Sequence, residues 1–323
     1  MNSLDNAILL EKIPVGISSC LLGQRVRYDG GHKNHSYIAS TLGEYFDFRP
    51  FCPELEIGLG VPRKPIRLSR VDSDVIRCVP IGDSSTDLTP RLQGCADAQQ
   101  DWQRELCGYI LKKDSPSCGM ERVKIWDEVM PKREGVGIFA GRMMQNLPYL
   151  PVEEEGRLGD AVLRENFIQR VFALRRWHEM VAARLSVSAL VDFHARHKLI
   201  IMSHDQNRYR SLGQLVAGTT RATLRENANQ YLLQFMDALK IRATRGNHVN
   251  VLQHIQGYLK TSLDADDKQE LVQTIANYHQ GLLPLIVPIT LLNHYFRKFP
   301  DAYISNSWYM NPYPAEMKLQ NEI

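Results

Sequence analysis

"YILKKDSPSCG", residues 109–119, sets an apolar, strand-like run against a turn that carries a cysteine. Tyr109, Ile110 and Leu111 suit a buried strand, and Ser115, Pro116, Ser117 and Gly119 are turn formers. Pro116 fixes φ and removes a donor, and Gly119 allows close approach of the backbone. A cysteine packed only for its bulk has no use for such a turn. One that must meet a metal or a substrate does.

Working outward, the arrangement recurs. "IPVGISSCLLG" (13–23) is a short apolar strand running into a turn with Cys20, and "YFDFRPFCPELEIGLGVPRKPIRL" (45–68) is a strand with Cys52 at its end, then a Pro/Gly-rich loop. "VIRCVPIG" (75–82) is a further strand-like run, and "GVGIFAGRM" (135–143) is another short apolar run. "GCADAQQDWQRELCG" (94–108) has helical spacing closed by Gly108. Strands alternating with helical stretches predict an α/β domain with a mainly parallel sheet. Sites in such sheets lie at the carboxyl ends of strands. Cys20, Cys52 and Cys118 each follow a strand-like run, so they are expected to converge. Cys78, inside its strand, and Cys95 and Cys107, within or beside the helix, read as buried structural thiols.

"MQNLPYLPVEEEGRLGD" (144–160), Pro-rich and then acidic, reads as the domain boundary. Beyond it, "LRENFIQRVFALRRWHEMVAARL", "VSALVDFHARHKLIIMSH", "ANQYLLQFMDALK", "HVNVLQHIQGYLK", "KQELVQTIANYHQGLL" and "PITLLNHYFRKF" carry helical apolar spacing. The expected organisation is an α/β domain over 1–160 and an all-α domain over 161–323.

Composition agrees with two globular domains: 323 residues, 44% hydrophobic and 23% charged. The charge is uneven. Residues 1–160 hold 20 Lys and Arg against 23 Asp and Glu, a net of −3, and residues 161–323 hold 19 against 13, a net of +6. A basic C-terminal half suggests an anionic partner there. "MNSLDNAILLEKIP" has neither the basic start nor the long apolar run of a signal peptide, so a cytoplasmic protein with reduced cysteines is expected. "GLLPLIVPITLL" is interrupted by Pro284 and Pro288 and is shorter than the roughly 20 apolar residues of a membrane span. It reads as a kinked, buried helix.

No P-loop, G-x-G-x-x-G or C-x-x-C pattern occurs, so ATP, a nicotinamide cofactor and structural zinc have no support in the sequence. Three widely spaced cysteines are consistent with an iron–sulfur site, since soft thiolates select iron–sulfur clusters, zinc or Cu(I).

The blocks "SSCLLGQRVRYDGG", "FCPELEIGLGVPRKP" and "KDSPSCG", closed by "LPVEEEGRLGD", resemble the signature of the thiouracil desulfidase family over roughly residues 13–160. "HKLIIMSH", "NHVNVLQHIQGYLK", "LIVPITLL" and "NPYP" resemble the YbgA-like helical domain. The fusion resembles proteins that remove sulfur from 4-thiouridine in tRNA. That resemblance implies a 4Fe-4S cluster held by Cys20, Cys52 and Cys118, with the fourth iron open to the substrate sulfur. It also implies a catalytic glutamate, Glu54, and a serine, Ser115. It favours a tRNA partner for the helical domain, with Lys198, Arg208, Arg210, Arg221, Arg225, Arg242 and Arg245 as phosphate contacts. Ser18 and Ser19 either meet the cluster or satisfy a strand end. Arg27, Asp29, Arg63 and Lys64 either meet substrate or pair at the surface. Two other readings stay open: desulfuration of free thiouracil or a thionucleotide, and a non-catalytic tRNA-binding or sulfur-carrying module. Neither a membrane nor a nucleotide cofactor is expected, and the oligomeric state is not encoded in any of these patterns.

Overall fold

The computed structural model describes residues 11–72, 75–127, 130–317 and 319–320. The segment weighed above as a signal peptide lies, up to residue 10, outside the described residues. The chain divides into two compact units, Met1–Asp160 and Ala161–Ile323.

The first unit contains two four-stranded sheets. In the parallel one, β1 (Ile13–Ser18), β2 (Phe46–Phe51), β5 (Gly108–Leu111) and β8 (Val152–Glu154) lie in the order β2-β1-β5-β8. All three pairings are parallel. Every residue of β5 is buried, as a parallel strand covered on both faces requires. The second sheet is mixed and was not foreseen. Its order is β4-β3-β6-β7, built from β3 (Ile66–Asp72), β4 (Val75–Pro80), β6 (Val123–Trp126) and β7 (Lys132–Gly135). Along β6, Val123 and Ile125 are buried while Lys124 and Trp126 face out, the alternation of a sheet covered on one side.

Among the described residues, four α-helices complete this unit: α1 (Pro53–Glu56), α2 (Thr89–Ala98), α3 (Gln100–Gln103) and α4 (Ile138–Asn146). The helix expected over 94–108 is therefore displaced. It starts earlier, with Pro90 in its first turn, breaks at Gln99, and leaves Gly108 to open β5. "GVGIFAGRM" becomes mostly α4, begun at Gly137. The acidic stretch at 153–155 is no linker. It ends the parallel sheet, and Glu153, Glu154 and Glu155 are all buried.

The second unit is helical: α5 (Ala161–Arg184), α6 (Val187–His204), α7 (Gln206–Ala217), α8 (Leu224–Lys240), α9 (Arg245–Gly257), α10 (Ala265–His279), α11 (Ile286–Lys298) and α12 (Ala302–Ser305). Side chains of Ser186, Asp205, Thr244, Asp264 and Asp301 accept backbone N–H groups at the starts of α6, α7, α9, α10 and α12. An aromatic core stacks Trp177 on Tyr231 at 5.7 Å and Tyr231 on Phe235 at 5.7 Å. Pro284 precedes α11 and Pro288 lies in its first turn, where no intrahelical N–H bond is lost, so neither kinks it. Among the described residues, no helix is long and apolar enough to cross a membrane.

Candidate active site

β2, β1 and β5 are neighbours and run parallel, so their carboxyl ends share one edge of the sheet. Cys20 follows β1 in a tight 3-10 turn over Ser19–Leu22, Cys52 follows β2, and Cys118 sits in the turn after β5. All three line one cavity of about 410 Å³ together with Glu54 and Ser115. The volume lies in the range of about 300–1,000 Å³ usual for small-ligand sites. Cys78, Cys95 and Cys107 are buried elsewhere in the unit and do not line this cavity.

The turn around Cys118 is held from three sides. The Ser115 Oγ accepts the N–H of Cys118 at 3.1 Å. The Gly119 N–H donates to the Ser115 carbonyl at 2.8 Å. From α4, Ile138 and Ala140 donate N–H groups to the carbonyls of Pro116 and Ser117 at 3.0 and 3.1 Å. Gly119 is required by packing, because a Cβ there would come within 2.3 Å of Val123 and 2.9 Å of the Ser115 carbonyl oxygen. Gly137 allows α4 to press on the turn, where a Cβ would lie 2.6 Å from the Ser117 carbonyl carbon. Glutamates at and just after the end of β8 fix the loop's two ends: Glu155 accepts the Lys113 N–H at 2.7 Å and pairs with the Lys112 ammonium, and Glu154 accepts the Met120 N–H at 2.8 Å. Ser18 satisfies a strand end, its Oγ accepting the Lys112 N–H at 3.0 Å.

Glu54 stands in the first turn of α1, two residues after Cys52. Arg63 donates to its Oε2 from Nε at 2.9 Å and from Nη2 at 2.7 Å. The Ser117 Oγ donates to Oε1 at 2.6 Å. Both partners of the Arg63–Glu54 pair are largely enclosed, with side chains 6% and 15% exposed. Arg63 is fixed further by the carbonyls of Gly60 and Val26. Ser115 and Ser117 hydroxyls lie 3.0 Å apart. An ionised Glu54 only accepts, so Ser117 donates to it and Ser115 donates to Ser117. A hydrogen-bonded line thus runs from Ser115 through Ser117 to Glu54. Ser117 is fully buried, and only the repeated serine in Ser-Pro-Ser-Cys hinted at it. The Arg63–Glu54 pairing was invisible because the partners stand nine positions apart across a Gly/Pro-rich loop. Arg27 pairs with Asp29 at 3.6 Å, and Lys64 is exposed outside the cavity lining.

Burial pushes the Cys20 thiol up to about 11, with the neighbouring Cys52 adding to the rise. Burial also raises Cys52 and Cys118, and the negative charge of Cys52 and Glu54 raises Cys118 further. Cys52 thus raises both other thiols, and a metal held here would displace the thiol protons. Among the described residues, no three His, Cys, Asp or Glu side chains converge as ligands of a single ion would. A cubane cluster binds each thiolate to a different iron, so its ligands surround a volume and do not meet at a point. Three soft donors on one cavity wall fit that demand.

The basic residues singled out in the helical unit are dispersed. Lys198 of α6 lies over the Tyr303 ring at 4.2 Å, and Arg208 of α7 pairs with Asp237 at 2.5 Å. Arg210, Arg221 and Arg225 are exposed, on α7, before α8 and at its start. Arg242 and Arg245 line a separate cavity of about 220 Å³ with Glu165, Gln169, His204 and His248.

The chain thus joins a parallel sheet with cysteines at its strand ends to a helical unit. Residues 15–155 match the family described as 2-thiouracil desulfurase, and residues 198–314 match the protein of unknown function DUF1722. The chain belongs to the family of the uncharacterized protein YbgA of Escherichia coli (strain K12), to which it is 35% identical over 153 residues, covering 47% of this chain and 90% of that one. The uncharacterized protein YbbK of Bacillus subtilis (strain 168) is 29% identical over 134 residues, 40% of this chain and 88% of that one. Among solved structures, the 4Fe-4S-dependent thiouracil desulfidase TudS aligns with a TM-score of 0.36 and 29% identity, covering 46% of this chain and 95% of that one.

Proposed function

We propose that the N-terminal unit is a 4Fe-4S-dependent desulfidase that replaces the sulfur of 4-thiouridine in tRNA by oxygen. The observation that carries this reading is the placement of Cys20, Cys52 and Cys118 at the ends of three neighbouring parallel strands, around one cavity shared with Glu54 and Ser115. The net reaction consumes a thiocarbonyl and water and yields a carbonyl and hydrogen sulfide, so no electron enters or leaves. Cys20, Cys52 and Cys118 would hold the cluster. When bound, it supplies a thiophilic Lewis acid to draw charge from the substrate sulfur.

The chain's own residues manage the proton and the geometry. A water in the cavity gives its proton toward Ser115 Oγ, Ser115 passes its own to Ser117 Oγ, and Ser117 passes its own to Glu54 Oε1. Arg63 keeps the carboxylate aimed at that line and balances its charge. The α4 N-terminus and Glu155 hold the turn, so Ser115 and Cys118 keep one spacing through the reaction. The helical unit's Lys198, Arg208, Arg210, Arg221, Arg225, Arg242 and Arg245 would contact tRNA phosphates, a role supported by that unit's net charge of +6.

The family description names a free base, which keeps thiouracil itself as the second reading. The test is anaerobic reconstitution followed by hydrosulfide measurement with thiolated tRNA and, separately, with the free thiobase. Release from tRNA that depends on bound iron is the expected result. Turnover of the free base alone would move the second reading ahead, and no release from either would sink the enzymatic one.

A further inference from the structure

The helical unit has a cavity of about 220 Å³ that plays no part in the sulfur chemistry. That lies below the about 300–1,000 Å³ of drug-sized ligand sites, so a guest there must be small. Its walls differ in charge. Arg242 and Arg245 make up one of them, and both are exposed. Among the described residues, neither has a carboxylate within ion-pair distance or an acceptor for its guanidinium. Arg245 is nevertheless held in place. Its guanidinium lies 5.9 Å from the centroid of the Tyr278 ring, and so close to Gly281 that a Cβ there would meet Nη1 at 2.8 Å. A guanidinium fixed by packing and left without an acceptor is ready for an anion.

The other wall is the face of α5 that carries Glu165, Asn166 and Gln169 at helical spacing, and it offers acceptors. Glu165 brings a carboxylate, steadied by the Tyr313 O–H at 2.6 Å and the Gln320 N–H at 3.1 Å. Asn166 donates its amide N–H to the Leu239 carbonyl at 2.9 Å and keeps its Oδ1 as an acceptor. The orientation of Gln169 is settled by His204. The His204 Nδ1 meets the Ile241 carbonyl and must donate to it, and Nε2 meets the Gln169 amide at 2.7 Å. Burial pushes His204 down to about 4, so its ring is neutral and has a single N–H, already engaged. Nε2 therefore accepts, the amide nitrogen of Gln169 donates to it, and the Gln169 carbonyl oxygen is left for the cavity. Tyr278 and Leu285, both buried, add an apolar surface.

Cations on one wall and acceptors on another, around a small and partly apolar space, suit a molecule with an anionic group at one end and an N–H donor beside it. We propose that this cavity binds a free amino acid, its carboxylate on Arg242 and Arg245, its ammonium on Glu165 and the Gln169 carbonyl, and its side chain against Tyr278 and Leu285. The site shares no residue with the cysteine cavity, so it stands whether or not the desulfidase reading does.

The test is a calorimetric titration of the full-length protein with each of the protein amino acids in turn. The tightest is expected to bind at least about tenfold better than its analogue without the ammonium, and than its analogue without the carboxylate, the worth of one charge-assisted contact each. Arg242→Gln and Arg245→Gln should each weaken it by about tenfold, and Arg245→Lys should recover part of the loss. Arg297→Gln, which removes an exposed cation of α11 outside the cavity, should change nothing. The melting temperature without ligand should stay parental in every variant. No binding by any amino acid at millimolar concentration overturns the proposal, as does an analogue lacking either charge that binds equally well. Affinity unchanged in both Gln variants of the cavity does the same. Loss of tRNA binding in those two variants, with no amino acid bound by the parent, gives the arginines to RNA and overturns it too.

Discussion

The basic residues of the helical unit and those at the cysteine cavity are built differently, although the unit with the cavity has the lower net charge, −3 against +6. In the helical unit the cations sit on successive helices, and Arg208 already has a carboxylate partner. At the cavity, Arg67 and Lys124 are neighbours by strand register and share one wall. Net charge identifies a surface that attracts polyanions at a distance. Register identifies a place where two donors meet one ligand, because residues on adjacent strands lie only about 5 Å apart. Attraction of a polyanion and capture of a small anionic group are therefore expected to be separable.

The largest effect expected is on the metal. Cys20→Ala, Cys52→Ala and Cys118→Ala should each lose most of the about four irons per chain expected for a complete cubane. Cys78→Ala, Cys95→Ala and Cys107→Ala should keep them, with iron and acid-labile sulfide assayed after anaerobic reconstitution. Iron retained in all three cavity variants would break the distinction between strand-end and core cysteines.

Next in size is Glu54→Gln. Hydrosulfide release should fall by about 10²–10⁴-fold, the usual range for losing a general acid or base, while iron stays bound. The substitution also leaves Arg63 enclosed without its counter-charge, so urea unfolding should show a loss of about 3 kcal/mol. Adding Arg63→Met should recover stability and none of the activity. Full activity in Glu54→Gln would remove the proton line from the mechanism.

Acid should separate the two units. Burial pushes His204 down to about 4 and His248 to about 3, so both are neutral in the folded helical unit. In the unfolded chain they protonate near 6.5, and on acidification the unfolded state takes up protons first. Their contribution is full above that pH and is lost as pH falls toward 4, about 3 kcal/mol for His204. Helical circular dichroism followed through urea at pH 7 and pH 5 reads the change. An unchanged midpoint would mean that these histidines are not buried neutral groups.

The smallest effects belong to the dispersed cations. Arg221→Glu and Arg245→Glu should each weaken tRNA several-fold and reduce the salt dependence by about one ion, with iron unchanged. Arg208→Ala, which removes a half-exposed ion pair, should cost stability no more than about 1 kcal/mol. Full-strength tRNA binding in the Arg221→Glu, Arg245→Glu double variant would shift the search for the RNA platform to the cavity wall.

Three strands of the parallel sheet were legible because β1, β2 and β5 are apolar runs ending in turns, and a cysteine follows each; β8 lay hidden in the stretch read as the domain boundary. Of the second sheet only β4, within the strand-like run 75–82, was legible. Its strands β6 and β7 have four residues each, too few for a period to register, and β3 follows a loop that dominates the local composition. Six long helices of the helical unit announced themselves by spacing, whereas α7 hid behind Gly213 and a polar face. Its signal was Asp205, whose side chain accepts the N–H groups of Asn207 and Arg208. At the site, residue types that bind metal or move protons stood out singly. Arg63 was weighed only as a substrate contact or a surface pair, and Ser117 and Glu155 not at all, because a partner across a loop leaves no mark on a linear pattern.

The buried glutamates at the end of β8 bear on the order in which the chain becomes competent. Lys112, Lys113 and Met120 rely on Glu154 and Glu155 to set the ends of the loop that presents Cys118. During synthesis, all three cavity cysteines leave the ribosome well before those carboxylates do. A nascent chain stopped short of Val152 would own every thiol and still lack the clasp that aims one of them. On the reading proposed above, a chain cut short of Val152 is expected to load iron poorly although it holds all three cavity cysteines.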